Sequence, residues 1–337
     1  MANGGVKQRR AVTRADVARY AEVSSAVVSY VVNEGPKKVA PATAARVREA
    51  IEVLGYSPNI GARSLKRGTT EMLGLVLPDI GNPFFADYAH EVTVAAADQG
   101  YALLVATSEG KGSTETRLVN DLVSRRVDGL MITTVWSQWD LAKVRHPGPP
   151  TVLLNCPYAA PGYASVGPAA LEGTRQVVEH LIDVHGHRSI GLVMGESTEE
   201  DIPPVRERGW LQALASAGLS PGPIGRRPFT REGGYEIGLQ MLASADPPSA
   251  IFASSDLLAI GVLRAVRELG LNVPHDVALV SFDGTSESEY CWPPLTVTRQ
   301  PVREMAKAAV RAVLDPERPV VNELFDMELV IRKSCGC

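Results

Sequence analysis

Apolar and polar positions along this chain change their period near residue 70. Before it, the spacing is helical. Ala15, Val17, Ala18 and Ala21 mark one side of a first short helix, and Val27, Val28, Val31 and Val32 one side of a second. Thr13 and Asp16 make a capping-box-like start, with Asp in place of the usual Glu or Gln. The turn Glu22-Val23-Ser24 hands over to Ser24 or Ser25 as the second cap. Two such helices bury too little area alone. A third, roughly Pro41 to Leu54, supplies Val47, Ala50, Ile51 and Leu54 as the remaining wall. The pattern predicts a helix-turn-helix, which presents its second helix to the DNA major groove, with an ordinary three-helix bundle as the alternative.

From about residue 71, short continuous apolar runs alternate with amphipathic helices. The strand candidates are Leu73–Leu77, Ala102–Thr107, Gly129–Thr134, Thr151–Asn155, Ile190–Met194, Ala250–Ala253 and Val277–Phe282. Between them fall helices at roughly Phe84–Gln99, Thr114–Arg125, Leu171–Val184, Val205–Ala217, Gly233–Ala243 and Leu257–Leu269, with Gly100, Gly218 and Gly270 as stops. The expected fold class is therefore α/β: an N-terminal three-helix domain followed by two doubly wound parallel sheets with right-handed crossovers.

Charge separates the same two regions. Residues 1–70 hold 12 Lys and Arg against 5 Asp and Glu, while the remainder holds 22 against 33, so the overall −4 hides a basic head on an acidic body. Neutralisation of phosphates explains such a head. With 337 residues, 45% hydrophobic and 21% charged, the chain is large enough for two or three cores. No apolar run reaches a membrane span, and MANGGVKQRR lacks a secretory apolar stretch, so a cytoplasmic protein with no membrane partner is expected. Cys156, Cys291, Cys335 and Cys337 are too scattered for a disulfide framework. Cys335-Gly336-Cys337 has no His or further Cys beside it in sequence, so no metal site and no cofactor are expected.

Several segments, in this order, resemble the lactose-repressor (LacI/GalR) family of transcription regulators. They are VTRADVARYAEVSSAVVSYVVN and VREAIEVLGYSPNIGARSL at the head; LGLVLPDIGNPFF, HLIDVHGHRSIGLVMG, RERGW, SSDLLAIGVLRAVRELGLNVPHDVALVSFDG and PPLTVTRQP in the body; and the ending LVIRKSCGC. The resemblance runs almost end to end. It implies a helix-turn-helix domain over 1–57, a hinge helix or linker over 58–70, and a periplasmic-binding-protein-like effector and dimerisation domain over 71–337. Within the last, one subdomain takes about 71–166 and 299–327, the other about 167–298 and 328–337.

The resemblance also assigns roles. Ser25, Ala26 and Tyr30 occupy positions that contact base edges; Ser25 can donate or accept, and Ala26 can lie against a thymine methyl. Where relatives often carry Arg, this chain has Tyr30, which stacks on or hydrogen-bonds to an edge or phosphate, or simply covers the helix. Ser24, Ser29 and Asn33 are phosphate or capping candidates, and Thr13 completes the DNA-facing set. Ala40 replaces the usual cap of the third helix, which leaves Pro41 to start it. In the hinge, Asn59, Arg63, Leu65 and Lys66 face DNA, with Arg63, Lys66 and Arg67 on phosphates and Leu65 as a minor-groove wedge.

Ligands of open α/β sheets bind beyond the carboxyl ends of the strands. The loop after the first strand offers Asp79, Asn82, Phe84 and Phe85, of which at least one Phe is expected in the core. Arg206, Asp283, Asn155, Ser255 and Phe229 match effector-facing positions of the family, while Asp256 reads as a structural cap of the helix beginning Leu257. The implied protein is a homodimer on a near-palindromic double-stranded DNA operator. Its most expected role is repression, controlled by a small effector, a sugar by resemblance. No leucine heptads follow Cys337, so no tetramer-forming coiled coil is expected. Catalysis would need a nucleophile–base set, and the best histidine pair, His185 and His187, lacks metal-binding spacing; no catalytic residue is assigned. A transport-type sugar receptor would share the body but carry an export signal and no basic head. Regulation by a phosphocarrier protein remains the variant within the regulator class.

Overall fold

The computed structural model describes residues 12–32, 38–57, 68–134, 148–158, 162–196, 203–315 and 321–337. It divides into two compact units, 1–70 and 71–337. The first holds α1 (Arg14–Tyr20), α2 (Ser25–Val32) and α3 (Pro41–Leu54). Thr13 and Asp16 close a capping box: the Thr13 N–H donates to Asp16 Oδ2 at 2.9 Å, and the Asp16 N–H donates to Thr13 Oγ1 at 3.4 Å. Ser24, not Ser25, caps α2, accepting from the Val27 N–H at 3.3 Å. As expected, Ala40 gives α3 no side-chain cap and Pro41 stands in its first turn. The core is small: Val17, Ala18, Ala21, Val28, Val47 and Ala50, with Val27, Val31, Val32, Ile51 and Leu54 packed around it. Ala15 is exposed and does not join it, because it lies two positions before Val17 and so nearly opposite on the helix.

The second unit begins β1 (Met72–Leu77), α4 (Pro83–Asp98), β2 (Ala102–Thr107), α5 (Gly112–Ser124), β3 (Gly129–Ile132), β4 (Thr151–Leu154) and β5 (Ala164–Pro168). It continues α6 (Ala170–Asp183), β6 (Ile190–Gly195), α7 (Val205–Ser216), β7 (Ile224–Arg227), α8 (Arg231–Leu242), β8 (Ala250–Ala253) and α9 (Asp256–Glu268). Last come β9 (Ala278–Asp283), α10 (Ser286–Tyr290), β10 (Thr296–Arg299), α11 (Val302–Leu314), β11 (Asn322–Phe325), β12 (Glu328–Val330) and a 3-10 turn, Lys333–Cys335. The glycine stops at Gly100, Gly218 and Gly270 take φ of 79°, 69° and 73°.

Two six-stranded sheets result, ordered β11-β5-β4-β3-β1-β2 and β12-β10-β9-β8-β6-β7. The first sheet is parallel throughout; in the second only β12 runs antiparallel, against β10. The apolar runs the pattern singles out are β1, β2, β3, β4, β6, β8 and β9. It does not single out β7 (IGRR), β11 (NELF) and β12 (ELV) at sheet edges, nor β5 (ASVGP) and β10 (TVTR), which lie one strand in from an edge. The chain passes between sheets three times: after β5, after β10 and after β11. Residues at or beyond the carboxyl ends of β1 and β9, one strand from each sheet, meet at a shared rim.

Candidate functional site

At that rim a cavity of ≈ 230 Å³ opens between residues of both sheets, with Phe84, Asp87 and Arg303 on one side and Asp283, Thr285 and Gln300 on the other. Asp283 ends β9 and is buried, with φ of 105°. The Gln300 side chain donates to Asp283 Oδ1 at 2.8 Å, and the Gln300 N–H donates to the Asp283 carbonyl at 3.0 Å. Gln300 itself stands on the second crossing between sheets, so the carboxylate is tied to a segment that joins the two halves.

Arg206 enters from the first turn of α7. Its guanidinium donates to the Ser254 carbonyl, sits 3.9 Å above the Phe282 ring and lies 3.7 Å from Asp283 Oδ1. Burial lowers the pKa of Arg206, against the attraction of Asp283 and Asp256. Burial pushes the Asp283 carboxyl up to about 7; the Arg206 charge opposes the shift and the Asp256 charge adds to it. Gln300 Oε1 has no hydrogen-bond partner among the described residues.

Asp256 differs from its expected role. Ser255 is the N-cap of α9, its Oγ accepting from the Leu258 N–H at 3.2 Å, and the helix begins at Asp256. Asp256 instead anchors the loop after β9, accepting from Ser281 Oγ at 2.5 Å and from the Thr285 N–H and Oγ1 at 2.6 and 2.8 Å. It is structural, as expected, but as a loop anchor. Phe229 lies flat over Gly195 at the end of β6: a Cβ there would meet the ring at 2.0 Å. Only glycine lets that ring approach.

The first sheet contributes differently. Asp79 is exposed and accepts from the Gly81 N–H at 2.7 Å; Asn82 is buried and caps α4, accepting from the Phe84 N–H at 3.1 Å. Phe84 is a core residue that also lines the cavity, and the half-buried Phe85 packs against the same core. Asn155 follows β4 with φ of 51°, a conformation its short polar side chain tolerates. Its backbone N–H faces the buried Tyr88 hydroxyl, whose pKa burial raises. Gln300, Thr285, Asp87 and Arg303 are cavity residues that the sequence reading missed. Gln300 stands in the family-like PPLTVTRQP, and Asp87 lies three residues past Phe84 on one helix face, so both carried a signal.

On α2, Ser24, Ser25 and Ala26 are exposed, while Ser29 and Tyr30 are half-buried beside the packed Val27 and Val31. Thr13 is exposed, and its hydroxyl also donates to Asp16 at 2.6 Å. Asn33, Asn59, Arg63, Leu65 and Lys66 lie outside the described residues. Far from the cavity, His180 and His185 stand beside Cys335 and Cys337. The expectation that no histidine neighbours the Cys-Gly-Cys segment therefore fails in space, because about 150 residues separate the partners in sequence. Among the described residues no helix is long and apolar enough to cross a membrane.

Comparison with known proteins agrees with this anatomy. A family model described as bacterial regulatory proteins, lacI family, matches residues 13–59, and one described as a periplasmic binding protein-like domain matches 178–335. The HTH-type transcriptional repressor CytR of Escherichia coli (strain K12) is 32% identical over 335 residues, covering 97% of each chain. The Lac repressor dimer bound to operator and the anti-inducer ONPF matches with a TM-score of 0.86 at 28% identity, over 97% of this chain and 99% of that one. A transcriptional regulator CelR–cellobiose complex matches with a TM-score of 0.66 at 28% identity, over 96% and 99%.

Proposed function

The chain belongs to the lacI family of bacterial regulatory proteins, and from that premise we propose a homodimeric repressor whose operator affinity is set by a small polyhydroxylated effector, a sugar. In this reading residues 1–57 read DNA, 58–70 form the hinge, and 71–337 sense the effector. The observation that carries it is the buried pair Asp283 and Gln300, which lines the cavity together with Phe84 and has Arg206 3.7 Å from Asp283 Oδ1. A guanidinium, a carboxylate and an amide supply both donors and acceptors for adjacent hydroxyls, and an aromatic wall suits the apolar face of a sugar ring. The solved relatives bound to ONPF and to cellobiose support the same ligand class.

Ser25 and Ala26, exposed on α2, would meet base edges, with Tyr30 at their margin; Thr13, Ser24, Ser29 and Asn33 would hold phosphates. Asn59, Arg63 and Lys66 would flank a Leu65 wedge at the operator centre. A twofold protein then mirrors a near-palindromic site. Tyr290 and Trp292, 84% and 89% exposed, offer an apolar surface of the kind that two copies cover.

Because Gln300 bonds Asp283 from a crossing segment, an effector that draws Asp283 or Arg206 toward itself also biases how the two sheets close. Linkage then requires that the effector change DNA affinity by the same factor as DNA changes effector affinity, so an inducer binds the DNA-bound form more weakly and a corepressor more tightly. The test is selection of bound duplexes from a random pool, followed by anisotropy titration of the winner against a sugar panel. The expected result is a near-palindromic winner whose affinity shifts with one sugar class. No preference over random duplex would remove the DNA-reading half of the proposal. Leu65→Ala is expected to weaken the selected duplex while leaving random duplex nearly unchanged; equal loss on both would reject the wedge.

A further inference from the structure

Four side chains distant in sequence converge at the end of the second sheet opposite the cavity. His180 lies in the last turn of α6 and His185 just beyond it, where the chain heads for the amino end of β6. Cys335 closes the 3-10 turn and Cys337 follows two residues later. One ligand atom from each, two imidazole nitrogens and two sulfurs, all lie within 4.8 Å of one another. The His185 and His180 Nε2 atoms are 3.3 Å apart; Cys335 Sγ and Cys337 Sγ lie 3.4 and 3.6 Å from His180 Nε2; and Cys337 Sγ is 3.3 Å from His185 Nε2.

These four separations, of the six that four ligands define, match edges of a metal tetrahedron. With Zn–N near ~2.05 Å and Zn–S near ~2.3 Å, a tetrahedral ion spaces two nitrogens about 3.3 Å apart and a nitrogen from a sulfur about 3.6 Å apart. Hydrogen bonding alone accounts poorly for the cluster. A ring nitrogen directs one lone pair or one proton in the ring plane, yet His180 Nε2 is approached by three polar atoms at once. We propose that His180, His185, Cys335 and Cys337 form a structural Cys₂His₂ site for zinc that fastens the chain end to α6.

The surroundings fit that role. Thr296 Oγ1 approaches Cys335 Sγ at 3.1 Å as an outer-sphere donor to a thiolate. Ser334 fixes the turn, accepting from the Thr296 N–H at 2.8 Å and donating to the Leu279 carbonyl at 2.5 Å. Cys335 itself is part of the core cluster that holds Leu181 and Ile182 of α6. Two ligands therefore ride on fixed elements, and the more exposed His185 and Cys337 close around the ion. Two nitrogens and two sulfurs in a tetrahedron select zinc over magnesium or calcium, and four protein ligands leave no open position for catalysis.

The test is titration of the full chain, reduced and under inert gas, with Co²⁺ and then Zn²⁺. The expected spectrum shows thiolate-to-cobalt charge transfer and the intense visible bands of a tetrahedral ion, both erased by stoichiometric Zn²⁺. The double variant His185→Gln/Cys337→Ser removes the two least buried ligands and so spares the core. It is expected to weaken metal binding by more than the roughly 10- to 100-fold that loss of an outer partner costs. A weak six-coordinate spectrum in the native protein, or unchanged binding in the double variant, would overturn the site. So would a Cys335–Cys337 disulfide that survives reduction and excludes the ion. None of these readouts involves DNA or sugar, so they are independent of the regulatory reading.

Discussion

The two sheets meet the cavity with opposite chemistry. On the first, polar side chains spend their acceptors on their own backbone: Asp79 on the Gly81 N–H and Asn82 on the Phe84 N–H. They shape a loop that sets Phe84 into the core and onto the cavity wall. On the second, charges are desolvated and incompletely matched: Arg206 is 3.7 Å from Asp283, and Asp283 is raised by burial despite it. The first half brings shape and exposed charges, Asp87 and Arg303; the second brings a buried charged pair and the Gln300 Oε1, which has no partner among the described residues. Burying such groups costs stability.

The largest expected effect breaks the charged half. Arg206→Ala removes the donor to Ser254 and the cation over Phe282, and leaves Asp283 buried without a counter-charge. Losing one member of a buried pair costs about 3–5 kcal/mol of stability. Calorimetry is expected to show the sugar response lost, by two orders of magnitude or more, while the folded variant keeps its operator affinity. An unchanged sugar affinity would make Arg206 purely structural.

The second effect is a slope. In the folded protein Asp283 keeps its proton up to about 7, against 3.8 for an ordinary Asp. The native state therefore binds more protons than the unfolded chain between about pH 4 and 7, and stability falls as pH rises through that window. Sugar hydroxyls that donate to the carboxylate favour its ionised form, so effector affinity is expected to run the other way. It should climb by up to about tenfold per pH unit toward 7 and level off above. Asp283→Asn should abolish the affinity slope. It should only reduce the stability slope, because burial also raises Asp256, to about 6. An affinity independent of pH in the native protein would take Asp283 out of the contact.

Both halves were legible in sequence to different depths. The strand ends that carry Asp283 and precede Asp79 stand out as the limits of apolar runs, so position followed from pattern alone. The division of labour did not, because it depends on which acceptors the backbone has already taken. Asp79 and Asp283 look alike as letters. Asp256 was misassigned for the same reason: Ser255 and Asp256 are both good caps, and only the loop carrying Thr285 decides which one caps. Edge strands such as β7 lacked the apolar run that signals a strand, and Cys335 lay about 150 residues from the histidines it meets. Sheet membership of β11 and β12 is likewise a property of the crossings, not of their four and three residues.

A smaller effect is expected where the second half also offers an aromatic. Gly195→Ala places a methyl 2.0 Å from the Phe229 ring, which must swing away. Phe229 is already well exposed, so the fold should keep its melting temperature within a few degrees. Effector affinity should change by several-fold if the ring covers the ligand. No change would confine recognition to Arg206, Asp283 and Gln300.

The smallest effect tests whether Asn82, on the first half, contributes only shape. Asn82→Ala removes the cap of α4 and is expected to cost about 1 kcal/mol, read as a shift in the denaturation midpoint. Asn82→Asp keeps an oxygen acceptor for the Phe84 N–H and adds a negative charge at a helix start, where it is welcome. Stability should return with Asp. If Asn82 acts only through the backbone, sugar affinity returns with it. If its amide also donates to the ligand, the Asp variant stays stable but binds weakly. That split would move one polar contact to the first sheet and narrow the contrast between the two halves.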